Sequence, residues 1–396
     1  MLKRQAYLER IKPFIDKDII KIFTGIRRSG KSTLMAQVRD VLAERGVVEE
    51  QMITINFEDL RYRSQTVEAL HEEILNQYSG DRLYLFFDEI QELESWEQLI
   101  SSLRVIIDSD IYLTGSNSRL LSGELATLLA GRYIEIRIYP FSFKEIIALS
   151  AMIKRSDVEQ AFRDYIRFGG FPFIHRNQLD ARATLNYLED LHNSIILKDI
   201  VYRYGIRDVA LFEKIMRYLM DNMGNTLSAK NLINYLQQDR RSISNETIYN
   251  YIAYSEDSML LNRVSREDIK GKELLKFQEK LYLTDHGFRE QIFGSNQSDI
   301  NRVLENIVYL ELLRRGYHVN VGAVGDREID FKAVKSGGKA YFQVAYFLTD
   351  AKVIDREFKV YREVVDNFPK YVLSMDQNDF SQDGIIHRNI IDWLLE

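Results

Sequence analysis

Apolar positions in the first 150 residues change repeatedly between two spacings. Short runs rich in β-branched and aromatic residues, typical of buried strands, alternate with longer stretches whose apolar residues recur at helical spacing. The predicted strands are IIKIFTG, MITINF, RLYLFFD and IYLTGS, and the predicted helices are Lys31–Arg45, Thr66–Tyr78 and Ser95–Ile107. A further strand and helix follow in LAGRYIEIRIYPFSFKEII. This alternation indicates βαβ units around a parallel sheet, so the predicted fold class is α/β.

The rest of the chain divides into three further segments. From Ser156 to Gly224 the pattern is helical, and the turn FGGFP favours a hinge or the border of a helical lid. Residues 225–290 combine two short helices with two strand-like runs, an order that indicates a winged helix. A polar linker, GSNQSD, precedes a last α/β module. The predicted domains are 1–150 for the first α/β domain, 151–224 for the helical lid, 225–292 for the winged helix and 298–396 for the C-terminal module.

Composition narrows the classes of protein. The chain has 396 residues, of which 45% are hydrophobic, so a packed core is expected and wholesale disorder is not. The formal net charge of −6 argues against a globally basic nucleic-acid binder but leaves room for one basic patch. Cysteine is absent, which excludes disulfides, thiolate zinc sites and cysteine nucleophiles. The chain shows neither a signal-peptide pattern nor an apolar run that could span a bilayer, so we expect a cytoplasmic protein without a membrane partner.

The segment TGIRRSGKST has the spacing of a phosphate-binding loop. Gly25 is followed after four residues by Gly30, Lys31 and Ser32, between a predicted strand and a predicted helix. In this setting the glycines let backbone amides wrap phosphates, the lysine reaches the β- and γ-phosphates, and the serine hydroxyl ligates Mg²⁺. We therefore expect ATP and Mg²⁺ as cofactors. The residues predicted to contact them here are Gly25, Arg28, Ser29, Gly30, Lys31, Ser32 and Thr33. For Arg28 the alternative is contact with solvent or a partner.

Two neighbouring carboxylates follow the buried strand RLYLFFD. Asp88 ends this strand, and the carboxyl ends of parallel strands form the ligand-binding edge of an open α/β sheet. We expect Asp88 to complete the Mg²⁺ shell with Ser32, and Glu89 to polarise the attacking water. The alternative is that these acids simply begin the next loop. Their position downstream of a complete phosphate loop favours the catalytic interpretation.

These motifs together resemble one class of nucleotide-binding protein. The segments GIRRSGKST, DEIQ and TGSNS are similar to signatures of the bacterial and archaeal branch of the AAA+ P-loop ATPases. The resemblance implies that Ser116 or Asn117 senses the γ-phosphate, and both alternatives stay open. It also implies that Arg132 of LAGRY stabilises charge, on its own chain or on a neighbouring one, unless it is structural. The predicted catalytic residues are Glu89, Lys31, Arg132 and Asn117.

The predicted partners other than ATP follow from the interpretation of the winged-helix region. An ATPase core followed by a helical lid and a winged helix resembles the origin-recognition-like and signalling ATPases, whose winged helix packs on the nucleotide domain or binds DNA. Residues 226–290 carry equal numbers of basic and acidic residues, so no net positive field is evident. Arg240 and Arg241 are the best candidates for phosphate contacts. DNA, a protein partner and a second copy of the chain remain alternative partners beside ATP.

The C-terminal module resembles a nuclease fold. A helix carrying Glu305, a strand near HVNVG and the hairpin REIDFKAVKSGGKAYFQV have the order of the restriction-endonuclease-like PD-(D/E)XK superfamily. Because strand side chains alternate, Glu328, Asp330 and Lys332 share one face of the hairpin. Active members of that superfamily carry an acid-x-lysine motif on the second strand, where this chain has QVA.

The resemblance therefore implies a vestigial nuclease site, whose residues are Glu305, Asp330 and Gln343. Gln343 can offer a carbonyl oxygen to a metal ion, but it carries no charge. Ala345 offers no amine to prepare a water molecule. We expect Lys332 to lie near Gln343 and to neutralise the carboxylates. The alternative is that Lys332 or Lys352 replaces the missing lysine.

We therefore predict an ATP-binding, Mg²⁺-dependent, AAA+-like ATPase. Its nucleotide state would switch the arrangement of the domains and so regulate the engagement of DNA or a partner protein. One alternative is an ATP-gated DNA endonuclease. Another alternative is a nucleotide-sensing, protein-binding scaffold that touches no nucleic acid.

Overall fold

The computed structural model describes residues 2–121, 129, 131–152, 157–237, 243–269, 271 and 273–396. The chain forms two compact units, which are Met1–Tyr139 with Asp257–Met259, and Pro140–Glu256 with Leu260–Glu396. Arg240 and Arg241, the predicted phosphate contacts, lie outside the described residues. None of the described helices is both long and apolar enough to cross a bilayer.

The first unit is built around a parallel sheet of five strands. They are β1 Ile20–Thr24, β2 Met52–Asn56, β3 Leu83–Asp88, β4 Ser109–Gly115 and β5 Tyr133–Arg137. The order across the sheet is β2-β3-β4-β1-β5, and every neighbouring pair is parallel. All residues of β1 and β3 are buried, which explains why these strands are nearly continuous apolar runs. The parallel sheet predicted from the alternating pattern is confirmed.

Helices cover both faces of this sheet. They are α1 Gln5–Ile11, α2 Lys31–Glu44, α3 Leu60–Arg63, α4 Val67–Gln77 and α5 Trp96–Ile106. One core cluster contains Leu70 of α4 and Leu99 of α5, and a second contains Leu34 of α2. The three predicted helices are confirmed to within one residue at each end. Thr66, for example, caps α4 from outside by accepting a hydrogen bond from the Ala69 amide.

A charged pair lies inside the sheet of the first unit. Lys21 of β1 is completely buried and forms an ion pair with Asp110 of β4. Asp110 also accepts hydrogen bonds from the Asp16 amide and the Tyr112 hydroxyl, both at 2.9 Å. Burial lowers the pKa of Lys21 and raises the pKa of Asp110, while each charge opposes the shift of the other. The sequence pattern does not predict this pair, because lysine and aspartate are mostly exposed residues. They are fully buried almost only when they are paired, and the sequence does not reveal the partner.

The second unit combines helices with a mixed sheet. Its helices are α6 Phe143–Met152, α7 Val158–Phe168, α8 Pro172–Arg176, α9 Ala181–Ser194, α10 Val209–Asp221, α11 Ala229–Gln237, α12 Asn245–Asp257, α13 Gly287–Phe293, α14 Ile300–Arg314, α15 Ala351–Lys359 and α16 Ile390–Leu395. Its strands are β6 Leu261–Asp268, β7 Glu273–Leu283, β8 His318–Val324, β9 Arg327–Lys335, β10 Gly338–Val344, β11 Lys370–Ser374 and β12 Ile386–Asn389. The strand order is β12-β11-β10-β9-β8-β6-β7.

The turn FGGFP, which joins α7 to α8, is held by a buried carboxylate. Asp285 accepts hydrogen bonds from the amides of Gly170 at 2.8 Å and of Gly287 at 2.9 Å. A side chain at Gly169 would lie 1.7 Å from Asp285 Oδ1, so only glycine fits there. The Phe141 amide in turn donates to the Gly170 carbonyl at 2.7 Å. These contacts fix the turn within the second unit.

The segment 225–292, predicted to form a winged helix, contains α11, α12 and the hairpin of β6 and β7. This hairpin extends the sheet of the C-terminal module, because Arg266–Asp268 of β6 pair in parallel with Val321–Ala323 of β8. The pairing satisfies a strand edge that the hairpin alone would leave open. The predicted boundary at residues 292–298 separates the winged helix from the C-terminal module. In the structure, strands from both sides of this boundary belong to one continuous sheet. The winged-helix and nuclease-like assignments remain predictions.

Candidate active site

The loop between β1 and α2 depends on its glycines. Gly30, at the N-terminal cap of α2, has a φ of 100°, a left-handed conformation that favours glycine. A side chain at Gly25 would lie 2.3 Å from the carbonyl oxygen of Ile138. Arg28 also has a positive φ, of 67°, and its side chain is exposed. These backbone conformations, followed at once by a helix start, are the features on which a phosphate-binding loop depends.

Arg4 holds this loop from outside the motif. Its buried guanidinium donates hydrogen bonds to the carbonyl oxygens of Ser29 at 3.1 Å and of Tyr139 at 2.9 Å. Its amide donates to Gln37 Oε1 at 2.9 Å. No sequence signal marks Arg4, because its partners are backbone atoms far along the chain that no motif encodes.

Lys31 lies inside the loop with 4% of its surface exposed. Its ammonium donates to the Gly25 carbonyl at 3.1 Å and lies 3.5 Å from Glu89 Oε1. The buried hydroxyls of Ser29 and Ser116 have no hydrogen-bond partner among the residues that the structure describes. Since buried hydroxyls normally find a partner, this arrangement fits a ligand rich in polar oxygens, such as a triphosphate.

Asp88 ends β3 and is held by hydroxyl and amide donors. It accepts hydrogen bonds from the Thr114 hydroxyl, the Ser32 hydroxyl and, at 3.3 Å, the side-chain Nδ2 of Asn56. Burial raises the pKa of Asp88, and the two hydroxyl donors oppose this shift. Within the described ranges no group of three or more histidine and acidic side chains could hold a metal ion. Ser32 and Thr33 lie in the first turn of α2. The oxygens of Ser32 and Asp88 suit Mg²⁺, which keeps several waters and phosphate oxygens as ligands.

Glu89 has a left-handed backbone with φ of 51°, which is uncommon for a residue with a side chain. Its amide donates to the Thr114 hydroxyl at 2.9 Å, and its carboxylate accepts from Gln91 Nε2 at 2.6 Å. Burial acts to raise the pKa of Glu89, but the charge of Lys31 and the Gln91 hydrogen bond outweigh it, so the pKa lies below its ordinary value. The carboxylate is therefore ionised at neutral pH and can accept a proton from water.

Ser116 and Asn117 follow β4 at the same edge of the sheet. Gly115, the last residue of β4, pairs with Thr24, the last residue of β1 before the loop. Ser116 is 1% exposed and Asn117 is 6% exposed. The structure thus places both residues beside the strand that carries the phosphate loop. That Ser116 or Asn117 senses the γ-phosphate stays a prediction.

Arg132 lies at the other edge of the sheet. It precedes β5, whose first residue, Tyr133, pairs with Ile20 at the start of β1, whereas the loop follows Thr24 at the end of β1. Five residues of strand span about 16 Å, and the Arg132 side chain is exposed. The proposal that Arg132 acts on the nucleotide of its own chain therefore lacks geometric support. Arg137, the last residue of β5, pairs with Thr24 at the edge of the sheet that carries the loop.

The three residues of the predicted vestigial site line one pocket of about 980 Å³ in the second unit, which we call the acidic pocket. The Asp330 amide donates to Gln343 Oε1 at 3.3 Å, and the Asp330 carboxylate accepts from the Val344 amide at 2.8 Å. Glu305 of α14 accepts from the Tyr282 hydroxyl at 3.2 Å. Burial raises the pKa of Glu305 and of Asp330, and the charge of Glu305 raises the pKa of Asp330 further.

A lysine from outside the predicted hairpin joins this cluster. Lys280 of β7 forms ion pairs with Glu328 at 2.5 Å and with Glu305 at 3.6 Å. Burial acts to lower the pKa of Lys280, but Glu305, Asp330 and Glu328 outweigh it and hold the pKa above its ordinary value. The cation that Ala345 cannot supply is thus present, on a strand outside the hairpin, and it neutralises the carboxylates.

The prediction that Lys332 neutralises these carboxylates is wrong. Lys332 forms an ion pair with Glu267 of β6, because β6 lies beside β8 in the sheet. The hairpin sequence alone cannot reveal that neighbour. Gln343 Nε2 donates to Glu357 Oε2 at 3.0 Å, an acid outside the predicted set. Lys352 lines the acidic pocket, so the alternative that it replaces the missing lysine stays open.

The parallel sheet, the phosphate loop and the carboxylates at its edge define a P-loop nucleotide-binding domain. A family model described as an AAA domain matches residues 17–147, and a model described as Domain of unknown function (DUF8612) matches residues 159–299. The first unit therefore matches an AAA domain in sequence and has the fold of a P-loop nucleotide-binding domain. A solved Walker-type ATPase of Pyrococcus abyssi is similar in fold, with a TM-score of 0.52 and 16% identity, over 74% of this chain and 96% of that one.

Two relatives match most of the chain. An uncharacterized protein of Haemophilus influenzae is 37% identical over 402 residues, which cover 100% of this chain and 99% of the relative. An uncharacterized protein of Methanocaldococcus jannaschii is 30% identical over 384 residues, which cover 92% of this chain and 83% of the relative. The chain belongs to the family of these proteins, and the similarity extends well beyond the AAA domain.

Proposed function

We propose that this chain is an Mg²⁺-dependent ATP hydrolase whose nucleotide state changes the arrangement of its domains and so regulates its engagement of DNA or a partner protein. The observation that carries the proposal is the meeting of Lys31, Asp88 and Glu89 at the carboxyl edge of the parallel sheet. In open α/β sheets this edge is where ligands bind. The carboxylates and the ammonium there are the groups that phosphoryl transfer to water requires.

Each residue has a separate task in this proposal. Lys31 would exchange its hydrogen bond with the Gly25 carbonyl for phosphate oxygens, whose negative charge it offsets. Ser32 and Asp88 would hold Mg²⁺, which when bound neutralises phosphate charge. Glu89 orients a water molecule and takes its proton, since its lowered pKa keeps it ionised. A second copy of the chain would have to contribute Arg132 if that residue acts on the nucleotide.

Coupling to the second unit is supported by the segment that follows β5. The Ile138 amide donates to the Thr24 carbonyl at 2.7 Å, directly before the phosphate loop. Three residues later, the Phe141 amide donates to Gly170 in the clamped FGGFP turn. A shift of the loop on nucleotide binding would therefore pull on a short, hydrogen-bonded segment that ends in the second unit.

Lys31→Ala tests nucleotide binding directly. The change removes a charged donor worth about 1.5–3 kcal/mol, so we expect Mg²⁺-ATP to bind roughly 10- to 150-fold more weakly. Isothermal titration with ATP measures the affinity, and circular dichroism shows whether the fold is kept. Lys17→Ala, at an exposed lysine before β1, is the matched control and should bind like the wild type. Wild-type affinity in Lys31→Ala would refute the assignment of the loop.

An ATP-gated endonuclease is the second candidate function, and the geometry of the acidic pocket tests it. The position of Lys280 among three carboxylates favours it, since nuclease chemistry of this type needs a lysine beside the acids. The ion pairs of Lys280 with Glu305 and Glu328, and the raised pKa of Asp330, disfavour a bound divalent cation. We therefore expect the acidic pocket not to cut DNA.

Plasmid nicking tests this expectation. Purified protein with ATP, Mn²⁺ and supercoiled plasmid should produce no more nicked DNA than the Asp330→Ala variant. A restriction enzyme on the same plasmid serves as the positive control. Cleavage that disappears in both Asp330→Ala and Lys280→Ala would establish the endonuclease instead, with Lys280 as its lysine.

A further inference from the structure

A second pocket of the second unit, of about 420 Å³, lies on the opposite face of β10 from the acidic pocket. Phe342 lines it, whereas the next residue, Gln343, lines the acidic pocket, because successive side chains of a strand point to opposite faces. One carboxylate, Glu396, lines this pocket, and so do four cations, which are Arg315, Lys335, Lys339 and Arg388. We call it the basic pocket after these four cations, of which Arg315, Lys339 and Arg388 pair with Glu311, Asp366 and Glu396.

One rim of the basic pocket is the glycine turn KSGGK between β9 and β10. Gly337 has a φ of 95°, and a side chain placed there would meet no atom within 4 Å, so the space beside the turn is open. Lys335 Nζ lies 4.3 Å from the Tyr317 ring centroid, and no carboxylate in the described part of the chain pairs with it. Lys339 pairs with Asp366 at 2.9 Å near the surface. The turn thus offers at least one unpaired positive charge to an anionic ligand.

Aromatic rings form the rest of the basic pocket. Phe342 stacks on Tyr371 with ring centroids 5.0 Å apart, and Trp393 lies 5.7 Å from Phe342. At the rim, Phe368 is 41% exposed, and Lys339 Nζ lies 4.8 Å from its ring centroid. Proteins that bind single-stranded nucleic acids use this combination, in which cations pair with phosphates and exposed rings stack on bases.

We propose that the basic pocket binds single-stranded nucleic acid, with a phosphodiester at the KSGGK turn and a base stacked on Phe368. A duplex is disfavoured because its bases are stacked on one another and cannot reach the ring. An acidic peptide would pair with the lysines and leave the exposed ring unused. The volume lies within the range of pockets that enclose small ligands. This inference rests on the nucleic-acid part of the proposed function, and it does not depend on ATP hydrolysis.

Fluorescence anisotropy with a labelled thymidine oligonucleotide, in the absence of ATP, tests the proposal. The double variant Lys335→Ala with Lys339→Ala should bind at least about 10-fold more weakly. Its salt dependence should also fall by about 0.7 in log–log slope, since one phosphate contact in a single strand contributes about that much. Phe368→Ala should weaken binding of the thymidine oligonucleotide by about 5-fold or more, and leave binding of an abasic oligonucleotide unchanged. Lys3→Ala with Lys17→Ala, an equal charge change on the first unit, should bind like the wild type.

Four outcomes would overturn the proposal. The first three are wild-type protein that does not bind the oligonucleotide, a double variant that binds as tightly as the wild type, and tighter binding of a duplex of the same length. Equal binding of abasic and thymidine oligonucleotides would also contradict it, because a base stacked on the Phe368 ring should increase the affinity. ATP hydrolysis measured in the same preparations keeps the two proposals apart. A wild-type protein that hydrolyses ATP but binds no oligonucleotide refutes only the basic pocket.

Discussion

Replacing Glu89 with glutamine should leave ATP bound and slow its hydrolysis by about 10²–10⁴-fold, the contribution of a positioned base. The amide has nearly the shape of the carboxylate and can still accept the hydrogen bond from Gln91. It cannot take a proton from water. Removing a negative charge that lies 3.5 Å from the Lys31 ammonium should also keep ATP affinity equal to or above that of the wild type. Phosphate release under saturating ATP and Mg²⁺ measures the rate.

Glu94→Gln is the matched control for this variant. Glu94 is an exposed carboxylate a few residues further along the same loop, so its variant should hydrolyse ATP at the wild-type rate. Equal rates for Glu89→Gln and the wild type would assign the water-activating role to another residue. The Glu89→Gln protein also tests domain switching, since it should remain in the ATP state. Limited proteolysis that is identical with ATP, with ADP and without nucleotide would contradict that part of the proposal.

Lys21→Met should destabilise the first unit by about 3–5 kcal/mol, the usual effect of removing one partner of a buried ion pair. Methionine keeps the length of the side chain, so the main change is the loss of the cation beside Asp110. The double variant Lys21→Met with Asp110→Leu should recover only part of this loss. It removes the unpaired charge, but it leaves the Asp16 amide and the Tyr112 hydroxyl without their acceptor.

Urea unfolding can follow the first unit by itself. The chain has two tryptophans, and Trp96 lies in the first unit and Trp393 in the second. In a Trp393→Phe background the fluorescence therefore reports only the first unit. Lys3→Met is the control, because its ion pair with Glu44 has side chains that are 55% and 64% exposed and should contribute less than about 1 kcal/mol. If Lys21→Met lowers the free energy of unfolding by no more than this control does, the buried pair is not important for stability.

The parts of the site that sequence could predict are those encoded by neighbours along the chain. The loop from Gly25 to Ser32 is recognisable because its glycines, lysine and serine must follow one another at set spacing. Asp88 and Glu89 are recognisable because a buried strand leads directly into them. Arg4 had no such signal, since it holds the loop through the carbonyl of Ser29, and its contribution appears only when the chain is folded.

The alternation of strands and helices, the phosphate loop and the two carboxylates were determined by the sequence itself, because each depends on local periodicity or spacing. Only the tertiary structure decided that Lys280, and not Lys332, joins the acidic cluster. It also decided that Arg132 lies at the edge of the sheet away from the loop. These outcomes depend on which distant strands pair and in which register. A shift of one residue in register exchanges the faces of a strand, and the sequence of a single hairpin carries no information about its neighbours in the sheet.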